Sequence, residues 1–199
     1  MKKYLIPAFL VLAMGGANAT PFRTVAAGNN QSTNGSWSFG TIFTVGANNV
    51  DILSLGAFDA GHNGFVSNSI EVGIFDEVTH ALLASTNVFS SNTLVGDYRY
   101  AAISGLTLTS GSKYRLVAVS KSDLYSYPVS TYDSAFTING FGYCNTTVLT
   151  SCASNTENDY GMGNFQYQVA ENRVPEPASL ALLGLGLAGF AAARRRKQA

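Results

Sequence analysis

"SWSFGTIFTV", residues 36–45, alternates apolar with polar or small side chains, so that Trp37, Phe39, Phe43 and Val45 share one face with Thr41 between them. Successive side chains of a strand point to opposite faces, and a period of two sustained this long predicts a strand with one buried face. The same period recurs along the chain. "SIEVGIFD" (69–76) sets Ile70, Val72 and Ile74 against Glu71 and Gly73. Tyr98, Tyr100 and Ala102 repeat it, then Leu106 and Leu108, and "NFQYQV" (164–169) sets Phe165, Tyr167 and Val169 against Asn164, Gln166 and Gln168. In "KYRLVAV" (113–119), Tyr114, Leu116 and Ala118 oppose Arg115, Val117 and Val119, which predicts burial on both faces. Turn-forming stretches separate these segments at residues 46–49, 60–64 and 110–112. No stretch between residues 20 and 173 keeps a helical period. About eight or nine short strands at intervals of about 10–15 residues predict an all-β fold, an antiparallel β-sandwich. Pattern alone leaves jelly-roll and immunoglobulin-like connections open. The long polar excursions "CNTTVLTSC" (144–152) and "SNTENDYG" (154–161) favour a jelly-roll-like order.

Both ends differ from this body. At the start, Lys2 and Lys3 precede an apolar run over residues 5–14, and Ala17-Asn18-Ala19 follows as an A-x-A site. That order predicts a signal peptide over residues 1–19, cut between Ala19 and Thr20. A first membrane helix is the competing reading, but about 10 apolar residues broken by Pro7 fall short of the ~20 a span requires. At the other end, residues 178–193 are uncharged and would form a helix of about 24 Å, somewhat under a ~30 Å hydrocarbon core. Arg194, Arg195, Arg196 and Lys197 hold the far end of that helix in the cytoplasm by the positive-inside rule. A permanent anchor would need nothing more. Pro175-Glu176-Pro177 adds something else, because the residue before a proline is pushed to extended geometry, and an extended segment before a marginal span is shaped for a protease.

The overall charge of zero hides an acidic body. Residues 20–177 carry six basic and twelve acidic side chains, a net charge of −6, which makes nucleic acid a poor partner. Cys144 and Cys152 are the only cysteines. In an exported chain, two so close together predict a disulfide, whereas a metal site would need ligands beyond His62 and His80.

Catalytic signals are few. No G-x-S-x-G elbow occurs, and Ser110-Gly111-Ser112-Lys113, which satisfies S-x-x-K, reads as a hairpin turn between "LTLT" and "YRLV". Glycoside hydrolysis wants two facing carboxylates, for which Asp59, Glu71, Asp76 and Asp97 are candidates, although turn geometry accounts for Asp59 and Asp76 as well. Asp59, Asn63, Asn158 and Asp159 would offer oxygen donors to calcium, without EF-hand spacing; otherwise no cofactor is expected. Trp37 and the tyrosines Tyr125, Tyr127 and Tyr132 of "DLYSYPVSTYDS" would suit sugar rings, if they are exposed rather than part of the core.

The tail "VPEPASLALLGLGLAGFAAARRRKQA" (174–199) resembles the PEP-CTERM sorting signal, with Pro-Glu-Pro, apolar helix and Arg-rich end in order. The resemblance implies an exosortase-type membrane protease as partner, in a Gram-negative bacterium that makes exopolysaccharide. It also implies transient membrane insertion through residues 178–193, a cut near Pro175 to Pro177, and release of the body to the cell surface or matrix. Residues from about 50 to 120 are similar to a β-sandwich module of secreted bacterial proteins, which carries no established activity. The expected domains are thus residues 1–19, 20–173 and 174–199. The expected function is a non-catalytic surface or matrix protein associated with exopolysaccharide and biofilm. The alternatives are a secreted polysaccharide-active hydrolase and a self-associating structural unit.

Overall fold

A computed structural model describes residues 19–26, 30–127, 130–151 and 155–170. The expected signal helix, the Pro-Glu-Pro motif, the membrane helix over 178–193 and the four-cation end lie outside them, as does Cys152. Among the described residues no helix is long and apolar enough to cross a membrane. The chain divides into a unit ending at Val169 and a second running from Ala170 to Ala199.

The described part of the first unit is built from antiparallel strands. In chain order they are β1 (Thr20–Pro21), β2 (Arg23–Val25), β3 (Asn30–Ser32), β4 (Trp37–Val45), β5 (Val50–Phe58), β6 (Ser69–Asp76) and β7 (Leu82–Phe89). They continue as β8 (Thr93–Val95), β9 (Tyr98–Leu108), β10 (Lys113–Val119), β11 (Tyr125–Tyr127), β12 (Ser130–Tyr132), β13 (Phe136–Asn145), β14 (Asn155–Thr156) and β15 (Gly163–Val169). One sheet has the order β1-β15-β5-β9-β8 and the other β14-β13-β4-β10-β6-β7, while β11-β3 and β12-β2 form two small ribbons. Successive long strands switch repeatedly between the sheets, and β1-β15-β5-β9 against β4-β10-β6-β7 is a jelly-roll-like order with β13 added at one edge.

The period of two does its work on the inner faces. Phe39, Phe43, Val45, Ile70, Val72, Ile74, Leu116 and Ala118 are all buried and join Leu55, Phe165 and Leu108 of the opposite sheet in one core. At about 25 cal/mol per Å² of apolar surface, this packing is the main force closing the sandwich. Phe22, just after β1, is completely buried and stacks on Phe165 at 4.4 Å, so it nails the start of the body into the core. The site expected for signal cleavage lies immediately before this anchor, with Ala19 exposed and Thr20 opening β1 opposite Tyr167.

Four local readings need correction. Residues 110–112 do form a tight turn, but β9 and β10 belong to different sheets, so the turn is a corner between layers and not a hairpin. A turn carries the same residues in either case, and only the pairing tells them apart. Ala102 is exposed while Ala101 is buried, because the β5–β9 register shifts between Ile52 and Ser54 and Gly105 of β9 takes φ +75°. Val169 is half exposed, at the last position of β15. Asn164, placed on a polar face, is buried and exchanges two hydrogen bonds with the backbone of Arg23: its Oδ1 accepts from the Arg23 N–H at 3.2 Å, and its Nδ2 donates to the Arg23 carbonyl at 2.9 Å. β10 is buried on both faces, as its sequence predicts. Part of the outer cover of its sheet comes from the segment after β13: Thr150 accepts a hydrogen bond from Ser38 Oγ at 3.1 Å, and Leu149 packs against Gly73.

Candidate functional site

The aromatic residues divide into three groups by depth. Phe39 and Tyr125 are buried, Trp37, Tyr143 and Tyr160 are half-buried, and Tyr127 is exposed. Trp37 opens β4, Tyr143 lies near the end of β13, Tyr127 ends β11, and Tyr160 stands in the loop before β15. Antiparallel pairing brings these strand ends together, since Asn145 faces Trp37 and Ser38 faces both Cys144 and Val119. The upper rings follow one another at 5.6 Å (Trp37–Tyr143), 5.9 Å (Tyr143–Tyr160) and 5.9 Å (Tyr160–Tyr127, stacked at 16°). Phe39 supports them from below, 4.7 Å from Tyr160 and 4.5 Å from Tyr125. The result is a strip of aromatic rings on a rigid base. Burial raises the proton affinity of the Tyr160 phenol, and a hydrogen bond with Asn158 partly offsets it. The hydroxyl is therefore neutral at ordinary pH, able to donate and accept.

Beside the strip lies a depression of about 310 Å³, lined by Thr33, Asn63, Ser122 and Leu124 among others. The β3–β11 ribbon joins the two, with Tyr125 opposite Ser32. Asp123 shapes its wall by accepting from the N–H groups of Val66 at 2.6 Å and Ser67 at 3.1 Å. Strip and depression share the end of the sandwich at which β4 begins. Val169 lies at the other end, opposite Val50, which in turn faces Leu108.

Two of the three tyrosines singled out in the sequence sit elsewhere than on an exposed surface. Tyr125 is buried beneath the strip, and Tyr132 packs on Phe22 at 5.1 Å with its hydroxyl 3.2 Å from Arg23 Nη1. Tyr143 and Tyr160, which complete the strip, have no flanking pattern that distinguishes them from core residues.

The carboxylates are held individually. Asp59 is wholly buried, 2.6 Å from Arg99 Nε, and accepts from the Gly64 N–H at 3.0 Å. Asp97 lies nearby, its carbonyl accepting from the Asp59 N–H at 2.9 Å, but its exposed carboxylate faces His62 Nε2 at 3.0 Å. Asp76 accepts from the N–H groups of Val78 and Thr79 and from the Thr79 hydroxyl, which together hold its carboxyl below the usual range. Glu71 lies on β6 opposite Asn87. Asp159 forms a buried ion pair with Arg23 at 2.9 Å, and Thr41 Oγ1 accepts from Arg23 Nη2 at 2.8 Å. Burial alone would lower the proton affinity of Arg23, but Tyr132, Asp159 and Tyr98 more than offset this and leave it raised. Both carboxylates considered for calcium thus have an arginine as neighbour. Among the described residues no three His, Cys, Asp or Glu side chains group as a metal site. In the S-x-x-K turn, Ser110 Oγ donates to the Gly46 carbonyl at 2.7 Å and its N–H to Asn49 at 2.9 Å. Cys144, on β13, is not a free cysteine; its expected bond to Cys152 reaches outside the described residues.

Fold and site together define an all-β protein with a run of half-buried aromatic rings, ending in the exposed Tyr127, at one end of an antiparallel sandwich. The chain ends in a PEP-CTERM protein-sorting motif, which matches residues 173–197. The motif implies a protein exported through the membrane to the cell surface and processed by an exosortase. No curated protein matches the chain.

Proposed function

We propose that the body is a non-catalytic glycan-binding module of this exosortase-processed protein, retained in its host's exopolysaccharide and biofilm. The observation that carries the reading is the Trp37–Tyr143–Tyr160–Tyr127 strip. Tyrosine rings offer flat apolar faces beside a polar edge, which suits the C–H faces and hydroxyls of a sugar, while Trp37 adds apolar ring area only, its Nε1 being buried. The strip lies at the end of the sandwich where β4 begins, and Val169 at the other. The state of the carboxylates supports binding over hydrolysis. A glycosidase needs one carboxyl to donate a proton and a second, facing it, to attack or activate water. Asp59 and Asp159 are each buried in an ion pair, with Arg99 at 2.6 Å and Arg23 at 2.9 Å, and so are closed to a substrate.

The test incubates the protein with the host's own exopolysaccharide and follows retention and new reducing ends together. Retention with no new ends is expected. New reducing ends would establish the hydrolase, and absence of retention would leave the structural, self-associating role.

A further inference from the structure

We infer that the strip takes a neutral polysaccharide and rejects anionic ones; this rests on the glycan-binding reading above. Proteins recognise carboxylated or sulfated chains through guanidinium and ammonium groups with free donors, arginine above all. The described body holds three arginines, and each is committed to a carboxylate: Arg23 to Asp159 at 2.9 Å, Arg99 to Asp59 at 2.6 Å and Arg115 to Glu77 at 2.7 Å. Lys113 stands at the far end of the sandwich, opposite Thr44. Lys121 is the one described ammonium at the strip's end, and it already donates to the Ser69 carbonyl at 2.9 Å.

Negative charge, in contrast, is close at hand. Glu157 is exposed three residues before Tyr160, and Asp123 lines the neighbouring depression. An acidic polymer would meet like charge on a body that is acidic overall, with Lys121 the one described cation near the strip. What the surface does offer is neutral. Asn34 accepts from the Tyr125 hydroxyl at 3.1 Å and keeps its amide donors, and Thr33, Asn63 and Ser122 line the depression next to the rings. Amides and hydroxyls that donate and accept together match the hydroxyls of an uncharged hexose chain.

The full chain, purified in detergent, is immobilised and offered labelled host exopolysaccharide separated by anion exchange into an unretained neutral fraction and a retained acidic one. The neutral fraction should bind with little change between about 50 and 500 mM salt, since no ion pair is screened. The acidic fraction should show no binding that either tyrosine variant below weakens, even at low salt; the tail cations Arg194 to Lys197 are a separate place for it to bind. Tyr160→Ala should weaken neutral binding roughly tenfold or more, as loss of a central aromatic anchor does. Tyr127→Ala, at an exposed position that burdens folding little, should weaken it in the same direction. Capture of the acidic fraction at equal or greater strength, weakened by either tyrosine variant, overturns the neutral assignment and leaves glycan binding standing. Capture of neither overturns both. Neutral binding untouched by both tyrosine variants overturns the assignment of the strip.

Discussion

Replacing Asp159 by Asn removes the only formal charge that faces Arg23 among the described contacts. Both partners are deeply buried, with side chains 1% and 6% exposed. The guanidinium would keep Thr41 Oγ1 at 2.8 Å and the Tyr132 hydroxyl at 3.2 Å, both neutral, while its Nε already has no hydrogen-bond partner. Removing one member of a buried ion pair leaves an uncompensated charge and costs about 3–5 kcal/mol. For a domain of this size that lowers Tm by roughly 6–20 °C. Asp97→Asn is the control: its His62 pair is about half exposed on both sides and is worth at most about 1 kcal/mol. The double variant Arg23→Met, Asp159→Leu removes the charges together and should recover most of the loss, because well-packed apolar replacements of a buried pair are often neutral. Urea unfolding of the tail-free exported protein, followed by intrinsic fluorescence with the slope m checked for constancy, measures all three. A cost under about 1 kcal/mol for Asp159→Asn would refute the reasoning, as would a double variant no better than the single one.

Alkaline pH should unfold the body. Burial raises Tyr98, Tyr100 and Tyr132 above the ordinary 10.0, so the native state keeps protons that the unfolded chain releases; this stability is complete below pH 10 and falls as pH rises towards the folded values. Urea titrations should show a loss of up to about 1.4 kcal/mol per tyrosine per pH unit above pH 10, and a flat profile would contradict it. Unreduced exported protein should show no free thiol by mass spectrometry, and Cys144→Ser should cost about 2–3 kcal/mol if its expected partner is Cys152. The intact mass of the surface protein should lack Arg194 to Ala199, and Pro175→Ala with Pro177→Ala should leave unprocessed chain in the inner membrane.

Several features were legible before any tertiary contact was known. Alternation in residues 36–45 and 69–76 placed Phe39, Phe43, Ile70, Val72 and Ile74 in the core, because a strand's side-chain period is independent of its partners. Ser38, Ile42 and Phe75 of the opposite face are buried too, which the expectation of one buried face missed. The sorting tail was equally legible, since its proline motif, apolar run and cations act through local chemistry that needs no folded body. Asp76 as a turn-former was readable for the same reason: its acceptors meet Val78 and Thr79, two and three residues away.

What depended on distant chain segments was not readable. Arg23 and Asp159 are 136 residues apart, and neither is set in a pattern that announces a partner. The corner at 110–112 and the shift beside Ser54 depend on which strands pair, and the turn residues are the same either way. The aromatic strip gathers the ends of β4, β11 and β13 with the loop before β15, so its existence rests on a sheet order that local propensity does not encode. Composition could supply the rings. Only the pairing of strands far apart in the chain could decide which of them, like Tyr125, would be buried and which, like Tyr127, would meet solvent.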